Sequence, residues 1–289
     1  MPARQENKSR HEPAAKNSAK NGTGKEQNSS TEIITVYSTR TDNNLGIKDV
    51  VFIRYLFKFK TAYKLKKMAT FITFQNKQKK KLPKEFRLDD NRNPESLVKY
   101  FLEKYTKKKD VVLDIFAGLG TTCFVAEKLG RIPFGIEYDG KRAAYIKSHL
   151  RHKENIINGD ALKLLSYKLP PCDFCFTSPP YMSKYDKENP FTACTTKGDY
   201  QRYLADIRKI YSQLKKLLRP HAYAVIEVSN LKGKEVTTLA WDIAREVSKV
   251  LHFEGELVVG WKGKGGYGFG GTYGYGYDHS YCLVFNNRK

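Results

Sequence analysis

Long apolar runs are missing from this chain of 289 residues. The most apolar stretch near the amino terminus, Val50-Val51-Phe52-Ile53, is cut by Arg54 and then by Lys58 and Lys60. It is too short and too charged to span a bilayer. The amino terminus is polar with no apolar segment behind it, so the expectation is a cytoplasmic protein with no secretory leader and no membrane contact. Acidic residues are scarce, 30 against 52 Lys and Arg, so the net charge is +22 and the pI is near 9.6. That balance disfavours acidic partners and favours a polyanion. Cysteine is sparse and odd in number, with five residues, which excludes a dense disulfide framework and suits a reducing compartment. Cys172-x-x-Cys175 has no second pair or nearby His to complete a zinc set, so these thiols read as buried structural groups and no metal is expected.

What is present is a core: 40% of residues are hydrophobic and 13% aromatic. Residues 1–31 are rich in Lys, Asn, Ser, Gly and Glu, and residues 32–67 mix aromatics and bases without a period. Residues 1–67 therefore read as a disordered or poorly ordered basic extension, and residues 68–289 as the folded domain, with Met68 as an alternative natural start. The first 67 residues hold 14 Lys and Arg against 6 Asp and Glu, which leaves +14 beyond Lys67. From Pro94 onward strands and helices alternate. Helices are predicted over 95–105, 121–129, 141–150, 200–218 and 237–250. Strands are predicted over 111–115, 133–136, 156–157, 174–177, 223–228, 257–259 and 281–285. Such alternation makes an α/β fold, a mostly parallel seven-stranded sheet with helices on both faces, Rossmann-like in plan.

Two segments lie at strand ends, where open α/β sheets bind ligands. The first is Asp114-Ile115-Phe116-Ala117-Gly118-Leu119-Gly120-Thr121-Thr122. Its glycines permit a tight turn, and the helix that starts at Thr121 offers free N–H groups to a carboxylate. The third glycine of the dinucleotide fingerprint is absent, since Cys123 occupies that place, and no Lys is present to cradle a triphosphate. Acids stand at three consecutive strand ends. Asp114 suits a ligand ammonium, Glu137 a pair of ribose hydroxyls and Asp160 an adenine amino group. The second segment is Ser178-Pro179-Pro180-Tyr181. Ser178 Oγ and the Pro179 carbonyl can accept hydrogen bonds from an aromatic amine and draw its nitrogen toward a tetrahedral shape. Pro179 and Pro180 stiffen the turn, and Tyr181 offers a face on which an extruded base stacks. The glycine-aromatic segment Gly265–Tyr277, flanked by Lys262 and Lys264, is a further nucleic-acid candidate.

Together these residues resemble the amino-methyltransferases that make N4-methylcytosine or N6-methyladenine in DNA, over about residues 80–289. The resemblance implies a class I methyltransferase fold, S-adenosyl-L-methionine as cofactor and DNA as substrate, in a restriction-modification setting. Asn93-Pro94-Glu95 resembles the family segment that covers the methionine part of the cofactor. The cofactor set it implies is Asn93, Pro94, Asp114, Phe116, Gly118, Gly120, Thr121, Glu137 and Asp160. The catalytic set is Ser178, Pro179, Pro180 and Tyr181. The order, cofactor motif before catalytic motif, is that of the family's alpha and gamma arrangements. A serine first in the catalytic motif is more typical of cytosine-N4 enzymes than of adenine-N6 enzymes. A carbon-5 cytosine enzyme is disfavoured, because Pro171-Cys172 precedes the fourth strand instead of following it. One departure stands out: only a loop separates Tyr181 from Tyr200, where such enzymes carry a sizeable recognition region. Sequence choice then falls to loops, to the extension or to a partner such as a cognate endonuclease. The alternatives are RNA or, less favoured, a protein glutamine as substrate, or a catalytically silent nucleic-acid-binding subunit.

Overall fold

The computed structural model describes residues 69–75, 81–87, 92–192, 196–262 and 276–288. The chain divides into two units, residues 1–62 and 63–289. The first unit and the rest of the predicted extension lie outside the described residues, as do Cys194 and residues 263–275 of the glycine-aromatic segment.

The elements in chain order are β1 (Phe71–Gln75), α1 (Glu95–Tyr105), β2 (Val111–Asp114), α2 (Thr121–Lys128), β3 (Ile132–Glu137), α3 (Gly140–Lys147), β4 (Ile156–Asn158) and β5 (Cys172–Thr177). They continue with α4 (Tyr200–Leu217), β6 (Leu218–Val228), β7 (Leu231–Lys232), β8 (Val236–Thr237), α5 (Leu239–Ser248), β9 (His252–Lys262) and β10 (His279–Asn286). Among the described residues the main sheet has eight strands in the order β1-β9-β10-β6-β5-β2-β3-β4, and only β10 runs antiparallel to its neighbours, β6 and β9. The seven predicted strands are all present. The eighth is β1, an edge strand whose pairing with β9 is parallel and could not be read from five residues. β7 and β8 form a separate small hairpin.

Helices cover both faces, so the central strands are apolar throughout rather than alternating. Phe174, Cys175 and Phe176 of β5 are all fully buried. α4 buries Tyr200, Tyr203, Leu204, Ile207, Ile210, Tyr211, Leu214 and Leu217 at three- and four-residue spacing, while Arg202, Lys209 and Lys216 face outward. Each such large side chain stabilises the fold by about 1.5–3 kcal/mol on burial. Asp173 fixes the join between β2 and β5. Its Oδ2 accepts the Val111 amide at 2.8 Å and its Oδ1 pairs with Arg219 at 2.9 Å.

The chain order reverses between β2 and β5. From β2 the sheet grows outward through β3 and β4, and the chain then returns to lay β5 and β6 on the other side. The carboxyl ends of β2 and β5 thus flank the topological switch point, the crevice where open α/β sheets bind ligands. Both predicted segments leave the sheet there.

Candidate active site

The glycine loop follows β2. Gly118 (φ 55°) and Gly120 (φ 83°) adopt backbone conformations that side chains disfavour, and a Cβ on Gly120 would meet Ile146 at 2.9 Å. Thr121 opens α2 directly after Gly120, its N-cap. The missing third glycine is answered from the strand side. Cys123 is buried against Gly135 of β3, where an added Cβ would stand 3.0 Å from Cys123 Sγ. Close helix-to-strand contact is kept with the small residue moved to the strand.

Glu137, at the end of β3, is buried and turned into this loop. Its Oε2 accepts the Gly118 amide at 2.7 Å and its Oε1 accepts the Asp139 amide at 2.9 Å. Each oxygen keeps a further lone pair for a hydroxyl. Burial pushes the Glu137 carboxyl up from its ordinary value, and the two amides hold it down. Asn158 braces the turn by donating to the Glu137 and Tyr138 carbonyls at 2.9 and 2.8 Å. Tyr138 follows with its ring 57% exposed, a free apolar face beside the acid. Asp160 caps the short helix over 161–166 through Oδ1, which accepts the Leu162 amide at 2.8 Å. The Tyr167 hydroxyl accepts the Asp160 amide at 2.7 Å, and only a glycine fits at position 159 beneath that ring.

Asp114 joins the two halves. It is buried at the end of β2, and its Oδ1 accepts the Phe116 amide at 3.1 Å and the Thr177 hydroxyl at 2.7 Å. Thr177 is the last residue of β5, directly before Ser178. Burial raises the Asp114 carboxyl, and hydrogen bonds from Thr177, Thr122 and Phe116 oppose it.

The Ser178–Tyr181 turn is anchored from below by α4. The buried Tyr203 donates its hydroxyl to the Pro180 carbonyl at 2.9 Å. Tyr203 also stacks on Phe191 at 5.1 Å, and Phe191 on Phe116 at 5.9 Å, so one aromatic row links α4 to the glycine loop. The Tyr181 hydroxyl accepts the Ser229 amide at 2.9 Å. Pro179 is buried, and among the described residues no donor reaches its carbonyl.

Sequence reasoning missed Glu227. It lies on β6, 1% exposed, and the Ser178 hydroxyl donates to its Oε2 at 3.1 Å. Tyr181, Ser280 and Asn93 also face this carboxylate. Burial raises the Glu227 carboxyl, and these four neighbours hold it down. Among the described residues, its Oε1 and the Asn93 Oδ1 are buried without a hydrogen-bond partner. Asn93 therefore sits by the Ser178–Tyr181 turn, while the buried Pro94 starts α1 by accepting the Leu97 amide at 3.0 Å. The signal for Glu227 was one acid inside the apolar run Tyr223-Ala224-Val225-Ile226-Glu227-Val228, a burial that needs a partner or a purpose.

Cys172, Cys175, Cys123 and Cys282 are free and buried, and no group of metal-ligating side chains occurs among the described residues. No described helix is long and apolar enough to cross a membrane.

Comparison with known proteins bears on the same residues. The model of the DNA methylase family matches residues 5–148, about half of the chain. That match includes the Asp114–Thr122 loop and Glu137 and ends before Ser178. The type II methyltransferase M.HinfI of Haemophilus influenzae is 40% identical over 78 residues, 27% of this chain and 21% of that protein. The aligned part thus spans about a fifth of that relative's length. Among solved structures, TrmN from Thermus thermophilus is 16% identical, covers 72% of this chain and 54% of its own, and has a TM-score of 0.48. A putative rRNA-methylase from Clostridium thermocellum is 12% identical, covers 68% and 98%, and has a TM-score of 0.42.

Proposed function

From the premise that the chain belongs to the DNA methylase family, we propose that it methylates an exocyclic amine of a DNA base, cytosine N4 ahead of adenine N6. S-adenosylmethionine supplies an activated methyl group when bound. The residues at the switch point fit such a cofactor. A glycine turn and a helix amino terminus stand beside a buried acid that keeps lone pairs for a diol, with an exposed aromatic face next to it. Gly118, Gly120 and Thr121 would hold the amino-acid end with Asp114 and Phe116. Glu137 would hold the ribose and Asp160 the adenine.

The observation that carries this reading is the Ser178–Glu227 hydrogen bond at the switch point. Because Ser178 donates its proton to Glu227, its own lone pairs are turned toward an incoming amine. The Pro179 carbonyl is the second acceptor. Two acceptors on one amine draw its nitrogen out of conjugation and expose the lone pair. Tyr181 holds the base plane, and the turn braced by Tyr203 keeps the amine in one fixed orientation. An amine that accepts a methyl group must lose a proton. Ser178 Oγ takes it and passes its own to Glu227. The fixed array of Glu227, Ser178 and Pro179 does this without reorganisation.

The pH dependence follows in sign. Glu227 must be ionised to receive that proton, and burial raises its pKa. The transfer rate should therefore rise with pH through a window above the ordinary carboxylate value. Stability should move the other way. The native state holds this proton more tightly than the unfolded chain, so the Glu227 contribution to stability is lost as pH rises through the same window. Glu227→Gln should flatten both profiles and lower the plateau rate by about 10²–10⁴-fold. An unchanged rate profile in that variant would remove Glu227 from the reaction.

A second reading, structured RNA as substrate, is favoured by the short stretch between Tyr181 and Tyr200, which leaves no room for a recognition domain. Sequence choice in either case falls to loops, to residues 1–67 or to a partner, a cognate endonuclease included. Incubation with labelled S-adenosylmethionine and separate DNA and RNA pools, followed by nucleoside mass spectrometry, decides between them. The expected product is labelled N4-methylcytosine in DNA. N6-methyladenine moves the base, label in RNA alone moves the substrate, and no label in any pool ends the reading.

A further inference from the structure

Tyr277, His279, Tyr281 and Trp241 form a continuous row of rings beside the catalytic turn. Centroid separations are 5.3 Å for Tyr277–His279, 5.3 Å for His279–Tyr281 and 4.9 Å for Tyr281–Trp241. The row is tied to Tyr181 through Ser229, whose amide donates to the Tyr181 hydroxyl at 2.9 Å and whose hydroxyl donates to the His279 carbonyl at 3.1 Å. Trp241, on α5, is 42% exposed although its helix buries a full apolar face elsewhere. The fold does not need a large ring in solvent, and an exposed Trp continuing a half-buried aromatic row beside a site marks a binding surface.

Charge at this rim selects the partner. Lys184, Lys232, Lys234 and Lys262 are exposed and make no ion pair among the described residues. The Lys232 stem lies on Gly276, next to Tyr277. The Lys184 amide donates to Thr237 just ahead of α5. Two acids of the same rim are engaged, Glu235 with the Tyr185 hydroxyl and Asp278 with His279. A row of ring faces edged by free ammonium groups suits bases and phosphates together. In a duplex the base faces are covered by their neighbours, so stacking on protein rings costs an unstacking that an already unpaired strand does not require.

We propose that this row seats the unpaired nucleotides flanking the target base, so that the protein prefers single-stranded DNA to duplex DNA. The inference rests on the methylation reading above and adds the state of the substrate. The test is fluorescence anisotropy with the full chain and three fluorescein-labelled probes of one mixed sequence: single-stranded DNA, the DNA duplex and single-stranded RNA. Single-stranded DNA is expected to bind at least about tenfold more tightly than duplex, the scale of one stacked base. Trp241→Ala should remove most of that advantage, and Trp241→Phe should restore it. Duplex binding, melting temperature and S-adenosylmethionine affinity should stay as in the parent. Equal affinity for duplex, tighter binding of RNA than of DNA, or no effect of Trp241→Ala would each overturn the proposal. Methyl transfer measured on the same samples separates the two ideas. Transfer that is indifferent to Trp241→Ala sinks the seat alone. A Trp241-dependent preference without transfer to any nucleic acid supports the seat and sinks the methylation reading.

Discussion

Ser178→Ala will abolish methyl transfer, with a fall of about 10³-fold or more in rate at saturating substrates, while S-adenosylmethionine affinity stays within about twofold. The hydroxyl has two tasks in the proposed reaction. It accepts a hydrogen bond from the amine, and it relays the departing proton to Glu227. Alanine removes both and leaves the backbone turn intact, because Pro179, Pro180 and the Tyr203 anchor do not depend on the hydroxyl. It also leaves Glu227 buried with one donor fewer, so a modest loss of stability should accompany the loss of rate. Single-turnover kinetics beside calorimetric titration of the cofactor gives the split. Cofactor affinity falling in step with rate would show that Ser178 belongs to the wrong half of the site.

Glu137→Gln should give the opposite pattern. One oxygen of the acid would be replaced by a donor where acceptors are needed, both for the ribose and for the Gly118 and Asp139 amides. Two charge-assisted hydrogen bonds of about 1.5–3 kcal/mol each correspond to a loss of roughly a hundredfold or more in cofactor affinity. The rate at saturating cofactor should fall far less, since Glu137 lies on β3, away from the Ser178 turn on the far side of β2. Titration at several cofactor concentrations, with a melting curve to confirm folding, reads this directly. A variant that binds the cofactor normally but turns over slowly would refute the assignment.

Local features of the site were legible and cross-strand ones were not. The glycine loop, the acids at successive strand ends and the Ser178–Tyr181 turn are each contiguous in sequence. Their chemistry follows from residue types a few positions apart. Glu227 meets Ser178 across 49 positions, and Thr177 meets Asp114 across 63, and no period or motif links such pairs. The same division holds for the fold. Helix α1 spans 95–105 as predicted, because its apolar residues repeat at helical spacing. β6 begins at Leu218, five residues before the predicted Tyr223. Pro220 reads as a stop, yet the strand runs past it through an irregular stretch with His221 at φ 63°. β9 spans His252–Lys262, far beyond the predicted Leu257–Val259. Its first half mixes Glu254, Gly255 and Glu256, and only pairing with β10 keeps it extended. The α5 helix is shorter than predicted because Val236 and Thr237 are taken by the β7–β8 hairpin, whose two-residue strands are below any periodic signal.

The hydrogen bond from Thr177 to Asp114 joins the glycine loop to the Ser178–Tyr181 turn through one buried carboxylate. That carboxylate sets the position of the last residue before the turn, and under the proposed function it would also line the pocket of the methyl donor. Under the proposed function, a ligand that shifts this carboxylate from one side would alter the other side as well, and coupling of that kind is reciprocal.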